Sequence, residues 1–156
     1  MKQTKRIALL FIGFLPLLLF GFYLNHLIST IYYYVAGPYF LFGVAVIAAW
    51  FAFGMISILL VESKKEAVIF LNAFALLILL LLLFQEWILG SMWQNQIGLA
   101  TQMFYLPLIR FGFVMGDMLP RFILPMSSFT IASAISFVFL VGASYLGRIV
   151  IESRKK

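Results

Sequence analysis

Cysteine is absent from the 156 residues, and histidine occurs once, as His26. The first absence removes disulfide frameworks, thiolate nucleophiles and cysteine-based zinc or iron–sulfur sites. The second removes any metal centre built from several imidazoles. Charge is scarce too. Only 10% of the residues are charged, against about 25% in a soluble domain. No Gly-x-Ser-x-Gly elbow, His-Glu-x-x-His pair or Gly-rich phosphate loop occurs. The expectation is a protein with no catalytic residue, no metal site and no cofactor.

Apolar residues fill the space: 65% of the chain is hydrophobic and 18% aromatic, where a soluble domain carries roughly 45–50% apolar residues. Too little polar surface remains to face water. The fold class expected is an all-α integral membrane protein, one membrane domain over residues 1–156, with four transmembrane helices forming two hairpins. The apolar runs lie at about 7–24, 38–61, 67–89 and 128–151. At 1.5 Å per residue, about 20 residues cover a hydrocarbon core of about 30 Å. The first run follows Lys2, Lys5 and Arg6, as a signal peptide would. It exceeds the roughly 7–15 apolar residues of such a peptide and no Ala-x-Ala-like site follows, so it reads as a retained span with a kink at Pro16.

The net charge of +6 does not point to nucleic acid, because the basic residues cluster beside the apolar runs. Lys2, Lys5 and Arg6 precede run one, Lys64 and Lys65 join runs two and three, and Arg148, Arg154, Lys155 and Lys156 end run four. Nine of the 11 basic residues therefore fall on one side. The positive-inside rule places that side, with both termini, in the cytoplasm, and a bacterial cytoplasmic membrane is expected. The expected loop Glu62-Ser63-Lys64-Lys65-Glu66 is too short to hold a nucleotide-binding or kinase domain.

The long outer connection is itself apolar: Met103 to Leu119 reads MFYLPLIRFGFVMGDML. A fifth crossing here would put the basic C-terminal tail on the wrong side and Arg110 near mid-bilayer, at roughly 2.5–3.5 kcal/mol. The segment at about 101–125 is instead expected to be interfacial or re-entrant. Arg110, Val114, Asp117 and Arg121 share one helical face. Pro107, Pro120 and Pro125, with Gly112 and Gly116, should divide it into short pieces. Residues Leu27 to Val35 in the first outer loop are expected to lie along the interface in the same way.

Polar residues at that outer level supply the only candidate binding cluster: His26, Glu86, Arg110, Asp117 and Arg121. A histidine, two carboxylates and two guanidiniums at one depth suit an anionic head group or a proton relay. The same residues also serve as ordinary helix ends that pair with one another. Glu86, at the outer end of the third run, is the one Asp or Glu in any run and none lies deep within one, which speaks against a proton-coupled antiporter. Asn72 is expected to hydrogen-bond between helices, at about 0.6–2 kcal/mol.

Runs two and four are rich in small residues. Ala45, Ala48, Ala49 and Ala52, and Ala143 with Gly147, carry the small-xxx-small spacing that admits close helix packing. Val61-Glu62-Ser63-Lys64-Lys65 also resembles Ile151-Glu152-Ser153-Arg154-Lys155, ninety residues later. That likeness fits either a duplicated hairpin or two helix ends meeting the same interface. The function expected is an accessory or structural subunit of a larger membrane complex. The alternative is a homo-oligomeric transporter, channel or lipid-head-group binder using the outer layer. Membrane lipids, a larger membrane protein or a second copy are the expected partners.

Overall fold

A computed structural model describes residues 2–16, 19, 38–116 and 128–154. Among the described residues the chain is helical, with no strand. The helices are α1 (Lys2–Pro16), α2 (Pro38–Ile56), α3 (Lys64–Trp87), α4 (Gln96–Phe104), α5 (Ile109–Gly116) and α6 (Ser128–Ser153). Single 3-10 turns follow α2, at Ser57–Leu59, and join α4 to α5, at Leu106–Leu108. Two helices are long and apolar enough to cross a membrane, Lys64–Trp87 and Phe129–Ser153. Gly43–Leu59 is a shorter apolar helix.

Local chemistry sets the helix starts. Ser63 caps α3 in extended conformation, its hydroxyl accepting the Glu66 N–H at 3.5 Å. Asn95 caps α4, accepting the Gly98 N–H at 2.8 Å. Pro16 is the last described residue of α1.

α1 lies beside α3, and α2 beside α6. In the first pair Arg6 meets Glu66 and Phe14 meets Phe74, so the two helices run parallel. In the second, Gly54 meets Ser144 and Ser57 meets Arg148, so these run parallel as well. The α2–α6 seam is close enough for backbone contact. A Cβ on Gly54 would lie 2.2 Å from the Ser144 carbonyl oxygen, and one on Gly147 would lie 2.0 Å from that of Phe51. Hydrogen at Cα is what allows the approach.

The long connection after α3 turns back into the bundle. α4 leaves the end of α3, the chain reverses at Tyr105–Leu108, and α5 returns along α6. Tyr105 is 0% exposed and its hydroxyl donates to the carbonyl of Ala75, midway along α3. Phe104, Tyr105 and Leu108 thus join one core with Trp50, Leu71, Ile78, Leu82 and Leu140. Pro107 marks the reversal. Gly112 does not break the hairpin: it sits inside α5, where a Cβ would come within 2.2 Å of the Ala132 carbonyl oxygen. Its role is contact with α6. Residues Leu27 to Val35, Pro120 and Pro125 lie outside the described residues.

The tightness of the α2–α6 seam sets a prediction. Gly147→Ala should destabilise the detergent-solubilised protein by about 1–3 kcal/mol through overpacking. A Cβ on Gly142 meets nothing within 4 Å. Gly142→Ala should therefore be neutral, or stabilising by up to about 1 kcal/mol. Thermal unfolding followed by circular dichroism compares them, and equal effects would remove the special closeness of this seam.

Candidate functional site

Of the five residues in the expected outer cluster, His26, Asp117 and Arg121 lie outside the described residues. Arg110 stands in the first turn of α5, and Val114, one turn on, is exposed. Glu86 is half-buried in the last turn of α3, where its carboxylate accepts the hydroxyl of buried Thr130 on α6. The described residues therefore place Glu86 in a contact between α3 and α6.

The neighbouring Gln85 does more of the binding at this end. Its side chain is fully buried. The amide nitrogen donates to the Thr101 hydroxyl at 3.3 Å, and the amide oxygen accepts the Trp93 N–H at 2.9 Å. Thr101 passes its own proton to the Gly98 carbonyl at 2.7 Å. Gln102 donates to the Trp93 carbonyl at 3.0 Å. One glutamine thus fastens both the loop and α4 of the hairpin to α3. These bonds hold the hairpin in place.

A second polar node lies deeper. The Trp50 indole N–H donates to the Asn72 amide oxygen at 3.0 Å, and the Asn72 amide nitrogen donates to the Ser144 hydroxyl at 2.9 Å. The same nitrogen also reaches the Val68 carbonyl at 2.8 Å, and the Ser144 hydroxyl donates to that of Val141. Three helices, α2, α3 and α6, meet through these side chains. Asn72 therefore touches two helices besides its own.

The basic end carries the third node. Arg148 is 1% exposed although it is charged. Its guanidinium donates to the Ser57 hydroxyl at 3.3 Å, the Val61 carbonyl at 3.0 Å, the Glu62 carbonyl at 2.6 Å and the Glu152 carboxylate at 2.7 Å. Helix ends leave carbonyls without intrahelical donors, and their dipole favours a cation. Arg148 supplies both at the end of α2. Glu152 lies one residue beyond the apolar run ending at Ile151 and also pairs with Lys64 at 3.2 Å. The Arg148 hydrogen bond, helped by Lys64 and opposed by partial burial, holds the Glu152 carboxyl below its ordinary value of 4.5.

The small residues singled out in the sequence divide by exposure. Ala143 and Gly147 are buried, Ala49 and Ala52 are half-buried, and Ala45 and Ala48 are exposed. Sequence reasoning missed Trp50, Thr101, Tyr105 and Thr130, whose partners come from distant helices. It counted Arg148 only as a boundary charge. The four-residue spacing from Arg148 to Glu152 was the available signal. Among the described residues no group of His, Asp and Glu could hold a metal ion. No family model, no curated protein and no solved structure matches the chain.

Two outcomes follow from these nodes. Asn72→Ala leaves the buried Trp50 indole N–H without its acceptor and removes the bond that the Ser144 hydroxyl accepts, and should cost about 1–3 kcal/mol. A double-mutant cycle with Trp50→Phe should give a coupling of about 0.5–2 kcal/mol, and strict additivity would mean that the two side chains do not interact. For Glu152 the folded pKa is depressed, so its stabilising effect is complete above the unfolded value and disappears as pH falls through the folded one. The stability gap between wild type and Glu152→Gln should therefore be full at pH 7, shrink below pH 4.5 and close in stronger acid. A gap that stays constant to low pH would contradict it.

Proposed function

We propose that this chain is an integral membrane protein of four spans, about residues 7–24, 38–61, 67–89 and 128–151, with a re-entrant hairpin between the last two. It works as a non-catalytic subunit of a larger membrane complex. Its basic end and both termini face the cytoplasm of a bacterial cell. The exposed surface supports the embedding. Phe11, Leu59, Ile69 and Val138 are each more than 60% exposed. The hairpin supports it too. Non-helical backbone at membrane depth needs burial in protein or a water-filled cavity, and Tyr105, Pro107 and Leu108 are buried in protein.

One observation carries the subunit reading. Among the described residues, no buried side-chain nitrogen or oxygen lacks a hydrogen-bond partner. Asn72, Gln85, Tyr105 and Arg148 are engaged in joining α2, α3, α6 and the hairpin, and Ser133 and Ser136 bond back to carbonyls of their own helix. A translocation path calls for polar groups that face a water-filled space. What the bundle offers outward is apolar surface, including the small-residue face of α2 at Val44, Ala45 and Ala48. Small residues let a partner helix approach closely.

Native mass spectrometry tests this, on the protein tagged in its host and extracted in mild detergent. A heteromeric species with one larger membrane protein is expected. Ala48→Leu should reduce its recovery by about tenfold, equivalent to about 1.4 kcal/mol of contact, without altering the thermal midpoint. Ala143→Leu cannot serve, because Ala143 is buried inside the bundle. A closed homo-oligomer would replace the subunit reading with a transporter, channel or lipid binder. A bare monomer would remove both.

A further inference from the structure

The basic end of the bundle contains a cleft of about 440 Å³, within the roughly 300–1,000 Å³ of small-ligand sites. Lys5 and Arg6 of α1 form one wall. Backbone and side chains from Leu59 to Val61 form the floor, and Glu62 and Glu66 complete the lining charges. Two cations and two carboxylates make the cleft formally neutral.

The four charges are not equivalent. Arg6 is joined to Glu66 at 2.6 Å and lies 5.6 Å from the centre of the Phe70 ring. Lys5 makes a single long hydrogen bond, 3.4 Å to the Leu59 carbonyl, and an ammonium has three protons to donate. The Glu62 carboxylate makes no ion pair among the described residues. The cleft thus presents one largely uncommitted cation and one uncommitted carboxylate. Beside them is apolar surface. Leu59, which lines the cleft, is 68% exposed.

A complementary ligand carries an anionic group and a primary ammonium, with hydrocarbon attached. We propose that the cleft binds the phosphoethanolamine headgroup of a membrane phospholipid. Its phosphate sits on Lys5, its ammonium donates to Glu62, and its acyl chains leave past exposed Leu59. This inference rests on the membrane-embedded reading above. A glycerol headgroup offers Glu62 only neutral hydroxyls, with no cation to offset the carboxylate charge. A choline headgroup has no N–H to donate to the carboxylate.

Vesicle flotation of the wild-type protein after an alkaline wash comes first. A chain that does not float removes the membrane reading, and this inference with it. For a chain that floats, native mass spectrometry in detergent compares phosphatidylethanolamine, phosphatidylglycerol and phosphatidylcholine of equal chain length, together with free O-phosphoethanolamine. One saturable phosphatidylethanolamine adduct is expected, preferred about tenfold over the other lipids. Lys5→Ala and Glu62→Gln should each abolish that preference while leaving the thermal midpoint unchanged. Equal binding of the three lipids, or a preference untouched by both substitutions, overturns the proposal. Free O-phosphoethanolamine binding as tightly as the lipid overturns its assignment to a lipid.

Discussion

The burial of one guanidinium sets the arrangement of the basic end. Removing a charge from water costs several kcal/mol even after the protein relaxes, and Arg148 meets that cost with four hydrogen bonds. Two of them go to Val61 and Glu62, whose carbonyls lie just past the 3-10 turn that ends α2. α2 must therefore stop where it does, and α6 must pass close enough for its side chain to reach. The glycines at 54 and 147 make that distance possible, since each stands against the other helix's backbone. Glu152 then links the same guanidinium to Lys64 at the start of α3. Three helices are held at one level by a single charged network.

Away from that end, a different solution takes over. α2 and α6 stay together, but α3 contacts α6 far more than it contacts α2. The hairpin occupies the wedge that results. Its tip brings Phe104, Tyr105 and Leu108 into the core beside Ile78 and Leu82 of α3. Gly43 of α2 lies against Pro107 and Phe111, and Gly112 lies against Ala132 of α6. Gln85 and Tyr105 fasten the insert to α3 with hydrogen bonds at two heights. Apolar filling and polar fastening are both needed, because dispersion alone does not choose a register among so many leucines and phenylalanines.

Helix positions were largely legible in the sequence because hydropathy and flanking charge mark the same boundaries. Runs at 38–61, 67–89 and 128–151 correspond to helical segments at Pro38–Leu59, Lys64–Trp87 and Ser128–Ser153. The reversal at Pro107 was legible for the same kind of local reason. What escaped reading depends on distant partners. A basic residue at the end of an apolar run looks alike whether it faces water or folds inward, so Arg148 gave no hint of its burial. Tyr105 was one aromatic among many in an apolar stretch. Gly112 suggested a break because a lone glycine weakens a helix in isolation, whereas here a neighbouring backbone requires it. Small-residue spacing marks faces without saying which neighbour each face meets. The buried seam runs through Gly54, Ser144 and Gly147, while Ala45 and Ala48 lie exposed.

The registers of the two parallel pairs account for the long connection between α3 and α6. Arg6 meets Glu66 sixty residues on, whereas Ser57 meets Arg148 ninety-one residues on. Both contacts lie at the basic end, so the chain from α3 to α6 is about thirty residues longer than the chain from α1 to α2 requires. α4, the turn and α5 together span residues 96–116 and take up most of that excess. The extra chain does not extend outward from the bundle; it returns to mid-height and becomes core. A second hairpin of helices lengthened in this way can hold α3 apart from α2 without leaving a void, and the cleft of Lys5 and Glu62 lies at the end the insert does not reach. The tightly tied nodes at Arg148, Asn72 and Gln85 hold the scaffold, and the uncommitted charges beside α1 are where it remains open to a ligand.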